Sequence, residues 1–158
     1  MDGLRLRTMT PAEFDGFRAR LVDDYADQRV RAGDWGADGS RNRALRAMDE
    51  LLPNGLATED TLVLTAETDD LDAVGCVWVK LRHSGSSGGD AWVYYIEVRP
   101  ELRGNGYGRA LLDATEREAV RHGATTMGLN VFADNPTARS LYSSAGYEVT
   151  SLQMRKAL

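Results

Sequence analysis

The chain has 158 residues, 42% of them hydrophobic and 27% charged, with a net charge of −5 and a pI of about 5.0. That length is enough for one domain with a sizeable core, and the acidic balance excludes the basic surface that non-specific nucleic-acid binding requires. A single cysteine, Cys76, rules out an intrachain disulfide and a cysteine-rich zinc site.

Leu4 and Leu6 alternate with Arg5 and Arg7, which predicts a short first strand. Thr10, Pro11 and Glu13 form a helix start: a capping hydroxyl, a proline in the first turn and a carboxylate near the positive end. Phe14, Phe17, Leu21 and Tyr25 recur at intervals of three and four and carry that helix to about Ala32, where GDWGADGS breaks it. A second helix runs from about Arg41 to Leu52 and stops before Pro53. TLVLTAE and AVGCVWVKL are strands joined by the turn TDDLD, and Cys76 in the second reads as a small core residue. RHSGSSGGD is a glycine-serine loop, expected to be mobile and at the surface. AWVYYIEV is the next strand, Gly106 to His122 a helix, TTMGLNVF a strand, NPTARSLYSSAG a short helix and YEVTSLQMRK a closing strand. No apolar run approaches the ~20 residues of a membrane span, and the N-terminus lacks the apolar core of a signal peptide. A cytoplasmic protein with no membrane partner is therefore expected. The order β-α-α-β-β-β-α-β-α-β, without repeat or linker, predicts a single α/β domain over residues 1–158 with a mixed sheet flanked by helices.

The stretch PELRGNGYG, Pro100 to Gly108, puts three glycines into five residues where a strand gives way to a helix. Glycine in a helix interior costs about 1 kcal/mol relative to alanine, so something must require the bare backbone. The first N–H groups of a helix have no intrahelical partner, and with the macrodipole they form an anion site. Glycines let a phosphate approach those groups, with Arg103 and Arg109 adding charge at the rim. The dinucleotide fingerprint G-x-G-x-x-G fails, because Arg109 stands where the third glycine belongs, and there is no P-loop G-x-x-x-x-G-K-[ST]. Taken alone, the loop also reads as a tight strand–helix turn with packing glycines.

Two further patterns stand in register with it. Ile96, Val98 and Pro100 match an apolar-x-Val-x-Pro strand end, and DNPTARSLYSSAGYE carries N-x-x-A followed by an aromatic and Gly-Tyr. With Arg103-Gly104-Asn105-Gly106-Tyr107-Gly108 matching [Q/R]-x-x-G-x-[G/A], the segment Tyr94–Lys156 resembles the GNAT superfamily of acyl-CoA-dependent N-acetyltransferases. The N-terminal half matches that superfamily only in element order.

The resemblance implies acetyl-CoA as cosubstrate and no metal. Backbone amides of Arg103, Gly104, Asn105, Gly106, Tyr107 and Gly108 would hold the pyrophosphate, with Arg109 beside them. The edge of Ile96–Val98, splayed from the strand at Met127–Val131, would meet the pantetheine amides. Asn135 would lie near the pantetheine or the thiol, and the Tyr142 hydroxyl would meet the sulfur. Many members of the superfamily dimerise, so a homodimer is among the assemblies the resemblance implies.

Acetyl transfer to an alkyl amine, whose pKa lies near 10, needs a group that takes a proton. Glu97 interrupts an apolar strand and points opposite to Ile96 and Val98; it reads as that base or as a paired structural carboxylate. Tyr142 reads as the acid that protonates the leaving thiolate, or as a core residue in the stripe Ala138, Leu141, Tyr142, Ala145. The Val98 N–H is the expected oxyanion donor, and Asn135-Pro136 also suits a helix cap. Trp35, Tyr25, Trp92, Tyr94 and Tyr95 are candidate walls of an acceptor pocket, most of them expected in the core. His83 and His122 look peripheral. The expected function is transfer of an acetyl group from acetyl-CoA to a primary amine of a small molecule or peptide by direct attack on the thioester. A non-catalytic acyl-CoA-binding or sensing domain is the alternative.

Overall fold

The Thr10 hydroxyl accepts the Glu13 N–H at 3.3 Å, and the Glu13 carboxylate accepts the Thr10 N–H at 2.7 Å. This reciprocal cap satisfies two otherwise orphaned donors and fixes the start of the first helix. The computed structural model describes residues 3–82, 89–154 and 156. Its elements are β1 (Arg5–Thr8), α1 (Pro11–Arg31), α2 (Ser40–Leu51), β2 (Thr61–Thr68), β3 (Leu71–Lys80), β4 (Asp90–Val98), α3 (Tyr107–Arg121), β5 (Thr126–Leu129) and α4 (Pro136–Ser144). Short 3-10 turns at Gly55–Ala57 and Pro100–Leu102 complete them. The strands form one sheet in the order β1-β2-β3-β4-β5. Neighbours among β1 to β4 are antiparallel, and β5 lies parallel to β4, the arrangement that a helical crossover permits.

The period-two alternation of β2 to β4 sends apolar side chains to both faces. On one face Phe14, Phe17, Leu21 and Val22 of α1 and Ala44 and Met48 of α2 pack on Val63, Cys76 and Trp78. On the other, Leu111 and Ala119 of α3 pack on Leu64, Val77, Val79 and Val93. Cys76 is a core residue, its thiol pushed up to about 11, chiefly by burial. Among the described residues no helix is long and apolar enough to cross a membrane. The glycine-serine loop, including His83, falls almost wholly at 83–88, outside the described residues.

Two expectations at the C-terminal side are corrected. The strand expected through Phe132 ends at Leu129, and the closing strand at 147–156 does not form among its described residues. The Tyr147 hydroxyl is tied to Glu116 Oε1 at 3.1 Å and its N–H to the Tyr142 carbonyl at 3.0 Å, so the chain leaves α4 along α3. The segment also lacks one apolar face: Val149 and Leu152 differ by an odd number of positions and so point to opposite sides of any strand. Val149, Leu152 and Met154 are 81%, 76% and 85% exposed.

Gly75 on β3 pairs with Val98 on β4. A Cβ at position 75 would lie 2.2 Å from the Glu97 carbonyl oxygen and 3.2 Å from the Val98 Cα. Gly75→Ala is therefore expected to push β3 and β4 apart and to cost about 2–3 kcal/mol, as overpacking does. Thermal denaturation should show a fall in Tm of roughly 5–10 °C, and an unchanged Tm would contradict this close approach.

Candidate active site

The register between β3 and β4 slips once. Trp78 pairs with Tyr95 and Val79 with Val93, leaving Tyr94 as an extra residue. A bulge of this kind bends its strand and increases the local twist. Both Tyr94 and Tyr95 consequently turn to the α1–α2 side. Tyr94 stacks on Trp78 with ring centroids 4.7 Å apart, and Tyr95 meets Phe17 edge-on at 5.5 Å.

The bulge also ends the pairing of β4 with β5, whose register stops at Val93 and Leu129. Beyond it no described residue of β5 pairs with β4, and on that side the Val98 carbonyl accepts from Arg103 Nε at 3.0 Å. The Arg99 N–H donates to the Val74 carbonyl at 3.0 Å, so by alternation the backbone groups of Glu97 and Tyr95 also face β3. Those of Ile96 and Val98 face the opened side. The pairing between these two strands, which the resemblance expects to open, stops at Val93 and Leu129.

Past Val98 the chain makes the 3-10 turn at Pro100–Leu102 and reaches the glycine loop. Gly104 has φ of 79° and Gly106 φ of 83°, a region that side chains with a Cβ adopt at a cost. Gly106 caps α3 without a side-chain hydrogen bond, and the first helical bond runs from the Ala110 N–H to the Gly106 carbonyl. The amides of Tyr107, Gly108 and Arg109 therefore lack intrahelical acceptors at the positive end of the helix. Asn105 Nδ2 donates to the carbonyls of Leu102 and Arg103 at 3.2 and 3.4 Å, bracing the loop from within.

The anticipated polar residues fall into distinct settings. Glu97 Oε1 accepts from Arg103 Nη2 at 3.0 Å and Oε2 from the Tyr95 hydroxyl at 2.9 Å. Burial, followed by the nearby Glu97 charge, raises the Tyr95 phenol well above its ordinary range, so it stays a donor. Arg109 does not reach into the loop: its Nη2 donates to the Leu141 carbonyl at 3.3 Å and to the Ser144 hydroxyl, which fastens α4 to the first turn of α3. Asn135 caps α4, its Oδ1 accepting the Ala138 N–H at 3.0 Å. Tyr142 follows Leu141 on α4, with its ring 5.8 Å from that of Tyr147. Its phenol is raised by burial and stays protonated at neutral pH.

Among the wall candidates, Tyr25 and Trp35 meet edge-on at 5.4 Å under the Arg29 guanidinium, which lies 5.1 and 5.9 Å from their ring centroids. Arg29 is also ion-paired with Asp34 at 2.8 Å, so this cluster pins the loop after α1. Asp24 on α1 has its carboxyl raised by burial and then by the charge of Glu97, placing a second acid on the Glu97 side of the sheet. His122 pairs with Glu118 at the far end of α3. Sequence reading missed the Tyr95–Glu97 bond, although the i, i+2 spacing on one strand face was a usable signal. It also missed Arg103 as the partner of Glu97 and Asp24 as its neighbour.

Residues 22–147 match the family described as the acetyltransferase (GNAT) family. The sequence is 30% identical over 153 residues to YycN, an uncharacterized N-acetyltransferase of Bacillus subtilis, covering 95% of this chain and 97% of that protein. It is 29% identical over 153 residues to YdgE, a second uncharacterized N-acetyltransferase of the same organism, covering 97% of each. The crystal structure of YycN shares the fold with a TM-score of 0.89 at 29% identity, over 98% of both chains. The enzyme AAC(6')-Iy, in complex with the bisubstrate analog CoA-S-monomethyl-acetylneamine, shares it at 20% identity with a TM-score of 0.63, over 98% of this chain and 99% of that one.

If the left-handed glycines serve to expose amides, Gly106→Val should distort the loop while leaving the sheet intact. Calorimetry with coenzyme A is expected to show at least a tenfold loss of affinity, with the far-UV circular dichroism spectrum unchanged. Unaltered affinity would mean that the glycines serve the turn alone.

Proposed function

Given that the chain belongs to the GNAT family of N-acetyltransferases, we propose that it transfers the acetyl group of acetyl-CoA to a primary amine of a small molecule or peptide. The observation that carries this reading is the opened edge of β4 beside the glycine loop. Ile96 and Val98 present backbone donors and acceptors beyond the last β4–β5 pair at Val93 and Leu129. The amides after Gly106 lie at the helix end that follows in sequence. The spacing suits a ligand with an anionic group at one end and amides along its length. A bound CoA derivative in one fold neighbour supports acetyl-CoA as the donor.

Each residue then has a chemical task. Acetyl-CoA supplies a thioester whose carbonyl carbon is open to attack. The amides of residues 104–108 hold the pyrophosphate, the Arg103 N–H being already donated to the Pro100 carbonyl at 3.3 Å, and the Val98 N–H faces the thioester carbonyl oxygen, where negative charge develops. The amine nitrogen forms the new C–N bond and passes its proton to Glu97, whose carboxylate retains lone pairs beyond those used by Arg103 and Tyr95. The C–S bond breaks and the thiolate takes the proton of Tyr142, whose phenol, raised by burial, is protonated at neutral pH. Asp24 and Glu97 lie on the α1–α2 side near Tyr95. Those two carboxylates suit an acceptor that arrives as an ammonium ion and loses its extra proton to water before the neutral nitrogen attacks.

The reading is tested with a panel of primary amines, from polyamines to peptide amines, by following free thiol release from acetyl-CoA. At least one amine should be turned over. With that amine, Tyr142→Phe should lower kcat by about 10²–10⁴-fold, as loss of a general acid does, or by roughly tenfold where a water replaces the hydroxyl, with coenzyme affinity unchanged within a few-fold. Failure to bind coenzyme A at millimolar concentration would overturn the function, and an unchanged kcat in Tyr142→Phe would remove its protonation role.

A further inference from the structure

The Arg103 side chain does not point into the loop that it opens. It folds back over the end of β4, where Nη2 donates to Glu97 Oε1 and Nε donates to the Val98 carbonyl, both at 3.0 Å. One guanidinium thus occupies the carboxylate assigned to the acceptor's proton and an acceptor on the edge assigned to the donor's amides. The pair is only partly buried, with 57% of the Arg103 side chain and 30% of the Glu97 side chain exposed. An ion pair in such a setting is worth no more than a few-fold in an equilibrium constant.

We propose that Arg103 is a positioning residue that exchanges partners when coenzyme binds, leaving Glu97 and the Val98 carbonyl for the pyrophosphate. The inference rests on the proposed function and adds a mechanism to it. The competition favours exchange: a pyrophosphate carries more negative charge than one carboxylate and presents oxygens that a guanidinium can clasp in pairs. The backbone of Arg103 already belongs to the loop, with φ of −66° and ψ of 155°. Rotation about its side-chain bonds is therefore enough to turn the guanidinium away from β4. The move takes the guanidinium off Oε1 of Glu97, which strengthens that oxygen as a proton acceptor, and frees the Val98 carbonyl to accept an amide N–H. Tyr95 keeps its bond to Oε2 throughout and holds the carboxylate in place while Arg103 departs.

The exchange makes a specific forecast, because Glu97 competes with the ligand for Arg103. Glu97→Gln should bind coenzyme A about two- to fivefold more tightly than the wild-type protein, whereas Arg103→Gln should bind it about five- to tenfold more weakly. The double variant should match Arg103→Gln, since the gain from losing Glu97 passes through the arginine. Isothermal titration calorimetry on the four proteins, with melting curves as a folding control, decides the matter; a damaged fold does not produce tighter binding. If Glu97→Gln binds no more tightly, or if the gain persists in the double variant, Arg103 does not exchange partners and the carboxylate acts only through its field. If the wild-type protein itself fails to bind coenzyme A, the proposed function falls and this inference with it. Binding by the wild type without a gain in Glu97→Gln overturns the exchange alone.

Discussion

The site depends on a break in the hydrogen bonding between two parallel strands. β4 and β5 pair from Asp90 with Thr126 to Val93 with Leu129 and then separate. A backbone donor or acceptor without a partner is costly unless water or a ligand satisfies it, so a gap of this kind persists only where the surrounding structure enforces it. Here the bulge at Tyr94 bends β4, and the Trp78–Tyr94 stack holds the bulged residue against the first core. Gly75 lets β3 follow the bend at close range. The opened edge is therefore held by packing on the α1–α2 face, away from the groups it exposes.

The charges around that edge are arranged by the same geometry. The positive end of α3 follows β4 after one short turn, and its two left-handed glycines leave the amides uncovered. The Glu97 side chain sits on the opposite face from those of Ile96 and Val98, so a carboxylate and a row of edge backbone groups share one strand without competing for space. Arg109 fastens α4 to α3, which carries Tyr142 toward the same end of the sheet. One face and one edge of a single strand thus separate the proposed acceptor side from the proposed donor side, as a reaction joining two substrates requires.

The sequence made the central segment legible for physical reasons. Three glycines in five residues, a strand ending in Val98 and Pro100, and an Asn-Pro helix start are local signals, and each appears as expected in the structure. What escaped is non-local. The bulge at Tyr94 appears only when β3 is laid beside β4, because a continuous apolar run does not show where its register slips. The Arg103–Glu97 pair depends on the 3-10 turn folding the chain back, and nothing in either residue's neighbours announces it. The closing strand expected over residues 147–156 does not form among the described residues: its apolar positions do not share a face, and Tyr147 directs the chain along α3 instead. The proposed acceptor side is the least legible part, because the aromatic and acidic residues of α1, β3 and β4 that we assign to it carry no motif.

The measurement that bears most directly on the central claim is amide hydrogen exchange with and without coenzyme A. If the ligand lies along the opened edge and against the α3 N-terminus, the amides of Ile96 and Val98 and those from Gly104 to Gly108 should slow together on binding. Amides of Tyr95 and Glu97, which already face β3, should change little. Slowing confined to other parts of the chain, or protection of the loop without Ile96 and Val98, would contradict the account.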